Sequence, residues 1–458
     1  MTVSSPWPRR ISRLFNVEQH EAGAVIAGLL MFFLLLAGYF MLRPVRETMG
    51  VAGGVDNLQW LFTGTFVATL AALPVFGWLA SRLPRRTLLP WLYGGCAIVL
   101  VGFAIGFQLA PENLWAARAF YIWLSVFNLL TISLAWSTLA DVLAAGQAKR
   151  TFALIASGAS IGGLAGPIIG AVLVAPVGHA GLLLVSALML TGSAAAAIWL
   201  HRWRDAHPAE TSARAEDATR RRPIGGSPFA GAVETFRSPY LLGITAFVVL
   251  LASVNTFLYF EQARLVAEYF PDRTTQTQVF GAIDAVVQGL SLVIQAFVTG
   301  HIAKRLGVGV LLVAVPVAMA AGFLALALTP IFAVFVVVMV VRRVGEYALI
   351  RPGREMLYTV LPAEQKYKAK NFIDTVVYRG GDAVSGWLKS GIDLVSGNPA
   401  AAMVFGACLA AAWGLCGFFL GRRERLLERN SSTAGVGGLG PHERSPADAL
   451  SPELPKLN

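Results

Sequence analysis

Charge is scarce in this chain, and acidic charge scarcer still. Only 14% of its 458 residues are Asp, Glu, Lys or Arg, and the bases outnumber the acids 37 to 26. A soluble domain carries about 25% charged residues, so this surface is not made to face water alone. Cysteine is nearly missing. Cys96, Cys408 and Cys416 all fall inside apolar runs, which excludes a disulfide framework and reads as small hydrophobes in packed helices. The six histidines stand at no metal-ligand spacing. There is no nucleophile elbow and no glycine-rich phosphate loop, so an enzyme has no candidate site. No metal and no cofactor is expected. A small-residue cleavage site after the first apolar run is also missing, and that run is too long for a secretory leader. It is expected to remain as a first helix.

What is present is apolar length. Hydrophobic residues make up 56% of the chain, and mean hydropathy is +0.62. Runs of about 20 apolar residues, the length that spans hydrocarbon, occur near 22–47, 57–80, 88–109, 117–143, 152–175, 180–200, 239–262, 277–300, 308–328, 331–357, 371–395 and 400–420. The expected fold class is an all-α integral membrane protein, with twelve transmembrane helices in two pseudo-symmetric six-helix halves. The expected organisation is an N-terminal segment (1–21), a first half (22–201), a polar linker (202–238), a second half (239–421) and a disordered tail (422–458).

The +11 net charge follows topology rather than marking a nucleic-acid surface. One set of connections carries Arg9, Arg10 and Arg13, then Arg82, Arg85 and Arg86, then Lys149 and Arg150, then Lys304 and Arg305, then Arg422, Arg423, Arg425 and Arg429. The opposite connections at 177–180, 329–330 and 397–399 hold no lysine or arginine. Cytoplasmic loops retain Lys and Arg, which places both termini and the 202–238 loop in the cytoplasm, most simply of a cell (inner) membrane.

Against this background the charges inside the apolar runs stand out. Residues ionised at bilayer depth are expensive unless they face a polar interior, so they are functional candidates by default. The first run closes on Leu42-Arg43-Pro44-Val45-Arg46-Glu47, and the tenth carries Arg342, Arg343, Glu346, Arg351, Arg354 and Glu355. Arg342 and Glu346 are four apart, as are Arg351 and Glu355, so each pair can meet on one helix face. That leaves Arg343 and Arg354 with no local partner. They are eleven apart, about three turns, and share a face of an unbroken helix. The alternative is a helix that ends near Tyr347, with the later charges in solvent. The eleventh run adds Lys370, Asp374, Arg379, Asp382 and a Lys389–Asp393 pair, and the seventh adds Glu261 and Arg264. Guanidinium offers paired donors and stays charged, which suits phosphate or carboxylate. A small anionic solute is therefore expected. Glu47, Glu261, Glu346, Asp374 and Asp382 read as coupling carboxylates or as structural counter-ions.

The fifth run holds Gly158, Gly162, Gly163, Gly166, Pro167 and Gly170. Glycines four apart make a groove that a neighbouring backbone can enter, and the proline can bend the helix. Tight packing and a gating hinge at Gly162, Gly166 and Pro167 are both open at this point. So are two roles for Arg82, Arg85 and Arg86, as orientation charges or as a gate latch.

Several of these segments carry a resemblance. Gly77-Trp-Leu-Ala-Ser81-Arg82-Leu-Pro84-Arg85-Arg86 resembles the basic loop after the second helix of the major facilitator superfamily, with Ser81 and Pro84 where that family has Asp and Gly. A related Gly300–Gly307 stretch stands at the equivalent place in the second half. Within the superfamily, Arg351-Pro352-Gly353-Arg354-Glu355-Met356, then Lys368-Ala369-Lys370 and Asp374, then Arg379-Gly380-Gly381, are similar to segments of the bacterial and plastid ATP/ADP translocases. So are Trp136 with Ala140-Asp141, Ala148-Lys149-Arg150 and Arg46-Glu47. The resemblance implies an antiporter of nucleotides or similar organic anions working by alternating access. It also implies that Arg46, Asp141, Arg354 and Lys370 meet substrate charge, with Arg43, Arg264, Arg343 and Arg379 adding to a positive cavity. Arg replaces the family's Lys at 46 and 354, and Asp its Glu at 141. A solute, the lipid bilayer and no nucleic acid are the expected partners, and the expected state is a monomer. The rival readings are a proton-coupled permease for another solute and a non-transporting membrane accessory protein.

Overall fold

The structure, a computed structural model, describes residues 18, 20–143, 145–207 and 230–437; within these, the side chains of Arg85, Lys149, Glu364 and residues 430–437, and of a few alanines, lie outside what is described. Among the described residues all regular structure is helical. In chain order the helices are α1 (Ala22–Ala52), α2 (Leu58–Arg82), α3 (Arg85–Leu109), α4 (Leu114–Val142), α5 (Ala145–Asp205), α6 (Ala230–Arg237) and α7 (Pro239–Tyr269). They continue with α8 (Arg273–Ile294), α9 (Gly300–Leu306), α10 (Val308–Leu328), α11 (Phe332–Gly345), α12 (Arg351–Leu357), α13 (Ala363–Phe372), α14 (Tyr378–Ser396) and α15 (Pro399–Gly437). Among the described residues nine helices are long and apolar enough to cross a membrane, and the chain is a multi-pass membrane protein. One of the nine, at 150–205, has 56 residues. Drawn straight it would run about 84 Å at 1.5 Å per residue. It is broken instead at Gly178, whose φ of +68° only glycine adopts readily, two residues after Pro176.

Three turns of π-helix interrupt the later helices: Gln295–Thr299 between α8 and α9, Glu346–Ile350 between α11 and α12, and Ile373–Val377 between α13 and α14. A π turn inserts one extra residue and re-aims the side chains beyond it. The tenth apolar run therefore does not end at Tyr347. It continues through the π turn as a helix to Leu357.

Two apolar cores hold the bundle. One draws on helices from α1 to the end of α5, with Phe32, Tyr93 and Phe120 fully buried; the other draws on helices from α7 to α15, with Phe247, Phe323 and Trp413. A third, small cluster joins Leu58, Leu61 and Tyr121 to Phe260 and Ala263, bridging the two sets. It sits at the arginine-poor end of the helices. Other bridges at that end are Thr48 Oγ1 to Thr277 Oγ1 (2.7 Å), His179 to Thr277 (2.9 Å), Arg273 to Glu112 (2.8 Å) and the Trp387 indole donating to Thr63 (3.0 Å). These contacts close the arginine-poor end.

The glycine series of α5 lies flat against α1. A Cβ at Gly162 would stand 2.5 Å from the Phe33 carbonyl oxygen and 3.0 Å from the Ala37 nitrogen; at Gly166 it would stand 2.6 Å from the Ala37 oxygen, and at Gly170 2.9 Å from the Met41 oxygen. Gly158 meets the Leu29 carbonyl in the same way. Each step of four on α5 meets a step of four on α1, so one backbone rides in the groove of the other. Of the two readings open in the sequence, this geometry is that of close packing. Pro167 packs its carbonyl against Gly281 of α8.

Candidate functional site

Between the two cores lies a cavity of about 660 Å³, within the range of small-molecule sites. Its walls come from α1, α2, α4 and α7, from the α11–α12 segment, and from the Ile373–Val377 turn with α14. Seven arginines line it: Arg43, Arg46, Arg342, Arg343, Arg351, Arg354 and Arg379. Glu346, Glu355, Asp374 and Asp382 line it too. The lining reaches Glu355 in the last turn of α12, so the cavity extends toward the arginine-rich end, opposite the closed one.

Each arginine has a carboxylate nearby, but the partners differ from those the spacing predicts. Arg342 does pair with Glu346 (3.1 Å) and also donates to the Asn255 side-chain oxygen. Arg351 does not pair with Glu355. It lies over the Tyr347 ring at 4.5 Å and reaches back to Glu346 at 3.7 Å, because the π turn between them changes the register. Glu355 bonds Lys370 instead (2.7 Å). Arg343 and Arg354, partnerless in local sequence, find partners on other elements: Arg343 bonds Asp284 of α8, and Arg354 stands 3.2 Å from Asp374. Arg46 bonds its neighbour Glu47 (2.5 Å) and covers the Tyr121 ring at 5.0 Å.

Three guanidiniums are held only loosely by acid. Arg43 stands 3.6 Å from Asp284, Arg351 is 3.7 Å from Glu346, and Arg379 is 3.6 Å from Asp382. Arg43 also donates to the Tyr347 hydroxyl (3.1 Å). Among buried donors in the wall, Arg46 Nε, Arg342 Nε, Arg343 Nε and Nη2, and Arg354 Nε have no hydrogen-bond partner. Buried donors left open are costly, and an anion carrying several oxygens would satisfy them with charge-assisted bonds.

Of the residues expected at substrate, Arg43, Arg46, Arg343, Arg354 and Arg379 line the cavity, while Asp141, Arg264 and Lys370 are not among its lining residues. Arg264 is held at the arginine-poor end of α7 by Glu261 (2.5 Å) and Glu268 (3.2 Å). Its place near the end of α7 is like that of Arg43 and Arg46 near the end of α1, which made it look like a cavity residue. Lys370 is occupied by Glu355, and Asp141 sits near the end of α4. Among the expected carboxylates, Glu346, Asp374 and Asp382 line the cavity; Glu47 is not among its lining residues and pairs with Arg46, and Glu261 pairs with Arg264. Arg82 and Arg86 are exposed, Arg82 over the Trp78 ring at 4.8 Å, and the Arg85 side chain lies outside the described residues. Sequence reasoning missed Arg351 and Arg342 as wall residues, along with Asn128, Asn255, Tyr121, Tyr259 and Tyr347. The amides could have been found, because Asn within an apolar run is itself out of place.

The Major Facilitator Superfamily profile matches residues 25–266, more than half the chain. The chain belongs to the Major Facilitator Superfamily. Among curated proteins, ADP,ATP carrier protein 1 of Chlamydia muridarum is 25% identical over 474 residues, covering 88% of each chain. Its counterpart in Chlamydia trachomatis serovar D is 24% identical over 467 residues, covering 87% of each. Among solved structures, a POT family transporter in complex with a thioalcohol-conjugated peptide matches with a TM-score of 0.62 at 10% identity, over 87% of this chain and 96% of that one. The facilitator fold and these carriers make membrane transport, not catalysis, the work of this chain.

Proposed function

We propose that this facilitator exchanges nucleotides or closely similar organic anions across a cell (inner) membrane by alternating access. The observation that carries the reading is the cavity wall, where seven arginines converge and several buried donors have no partner. The similarity to ADP,ATP carriers over nearly the whole chain supports the nucleotide class. Arg43, Arg46, Arg343, Arg354 and Arg379 meet the phosphates, joined by Arg342 and Arg351. Twelve crossings follow if the broken 150–205 element counts as two and the charged segments 331–357 and 371–395 are added to the nine apolar helices. They form two six-helix halves, 22–201 and 239–421, linked by 202–238, with both termini cytoplasmic and the carrier a monomer. In that orientation the cavity faces the cytoplasm, and rocking about the cavity would open the other end. An empty positive cavity reorients slowly, which makes exchange one for one. Unequal anions would then exchange with a response to membrane potential.

The test is uptake of labelled ATP, ADP and inorganic phosphate by proteoliposomes, with wild type beside Arg354→Ala. Nucleotide uptake lost in the variant supports the proposal. Uptake of none of these anions, or uptake driven by an imposed pH gradient and indifferent to Arg354, contradicts it and favours the proton-coupled permease.

A further inference from the structure

Asp284 reaches an arginine of each set of helices at the cavity. It projects from α8 and is 3% exposed. One oxygen accepts from Arg343 of α11; the other stands 3.6 Å from Arg43 Nε of α1 and has no hydrogen-bond partner. Two guanidiniums thus share one carboxylate. Arg343 is itself 5% exposed, with Nε and Nη2 open, and both arginines line the cavity. The Arg43 contact is long for an ion pair and lies across the joint between α1 and α8. Thr48 and Thr277 cross the same joint nearer the closed end, at 2.7 Å.

Carboxylate and phosphate oxygens compete for the same guanidinium donors. From this geometry we infer that Asp284 is the resting counter-anion of the transport site. In the empty carrier it neutralises Arg343 and ties Arg43 across the α1–α8 joint. A phosphate-type anion takes Arg43 and the open donors of Arg343, and the tie is released. Loading thereby loosens the joint that rocking must move, and an unloaded carrier stays tied. This rests on the anion-exchange reading above. It adds a coupling residue that is not itself among the cavity's lining residues and acts through two arginines that are. A carboxylate serving only to neutralise a buried arginine would predict loss of fold on its removal, with no gain in affinity.

The experiment is calorimetric binding of ADP, and separately of pyrophosphate, to the full-length carrier in detergent, for wild type and Asp284→Asn. The amide keeps shape and removes the competing charge, so binding should tighten at least tenfold while maximal exchange slows. Equal or weaker binding by a folded variant overturns the inference. Should Asp284→Asn not fold, the charge-balanced pair Arg43→Gln with Asp284→Asn decides. With no tie to break, it should show at least tenfold more net uptake into anion-free vesicles than wild type, and uptake that still needs an internal anion overturns the inference. If wild type binds pyrophosphate and not ADP, the nucleotide reading fails while Asp284 is still judged on pyrophosphate. If wild type binds neither, both readings fall.

Discussion

Replacing Gly162 by alanine tests the joint between α5 and α1, and its cost can be worked from the contacts. The added Cβ would stand 2.5 Å from the Phe33 carbonyl oxygen and 3.0 Å from the Ala37 nitrogen. Both are backbone atoms of a buried helix, so neither can swing aside as a side-chain tip would. Overpacking of this kind costs about 1–3 kcal/mol, and the helix gains up to about 1 kcal/mol from the better propensity of alanine. The net loss is about 0–2 kcal/mol against wild type, and about 1–3 kcal/mol against an alanine that gains the same propensity without the clash, read as a lower melting temperature. Gly102→Ala is the control, since its Cβ would meet nothing within 4 Å. Intrinsic tryptophan fluorescence of the detergent-purified protein reads both. If Gly162→Ala melts with or above Gly102→Ala, the close-packing account is wrong. A hinge would give a different pattern, with slowed transport at an unchanged melting temperature.

Other consequences follow from the same contacts. Arg264→Ala leaves buried Glu261 without its 2.5 Å partner and should lower the melting temperature, yet uptake per folded molecule should stay within about twofold of wild type because Arg264 is outside the cavity wall. Arg273→Ala removes an exposed bridge to Glu112 at the closed end. Such a bridge is worth at most about 1 kcal/mol, so opening of that end should rise by up to about fivefold. The readout is labelling of a cysteine placed at Thr63 in a background lacking the three native cysteines, and an unchanged labelling rate would count against the latch. Gln295 and Thr299 donate to the Tyr347 and Ala348 carbonyls, at 2.9 and 2.8 Å, within the π turn that aims Arg351. Thr299→Val should therefore weaken anion affinity several-fold with little change in maximal rate, and an unaltered affinity would remove the turn from the account.

The apolar runs already announced a helical membrane protein, because about 20 apolar residues have few other uses. Most candidate arginines of the wall were legible for the complementary reason, that charge at this depth needs a cause. The pairings were not. Spacing rules assume an unbroken helix, and the π turn at Glu346–Ile350 changes the register so that Arg351 reaches back to Glu346, while Glu355 bonds Lys370. Asp284 escaped notice as a partner because its two arginines lie on different helices, 241 and 59 positions away in sequence. Long-range pairing of that kind leaves no local pattern. Arg264 misled in the opposite sense, since its position along α7 matched that of the first-helix arginines while its local acids hold it at the helix end.

The central claim is that the arginine-lined cavity carries an anion in exchange for another. Uptake of labelled ADP should be measured in proteoliposomes preloaded with ATP and in others loaded with buffer alone, the two sharing one preparation of wild-type carrier. The account predicts rapid uptake that depends on the internal nucleotide and is lost in Arg354→Ala. Equal uptake by loaded and empty vesicles, or none by either, would contradict it.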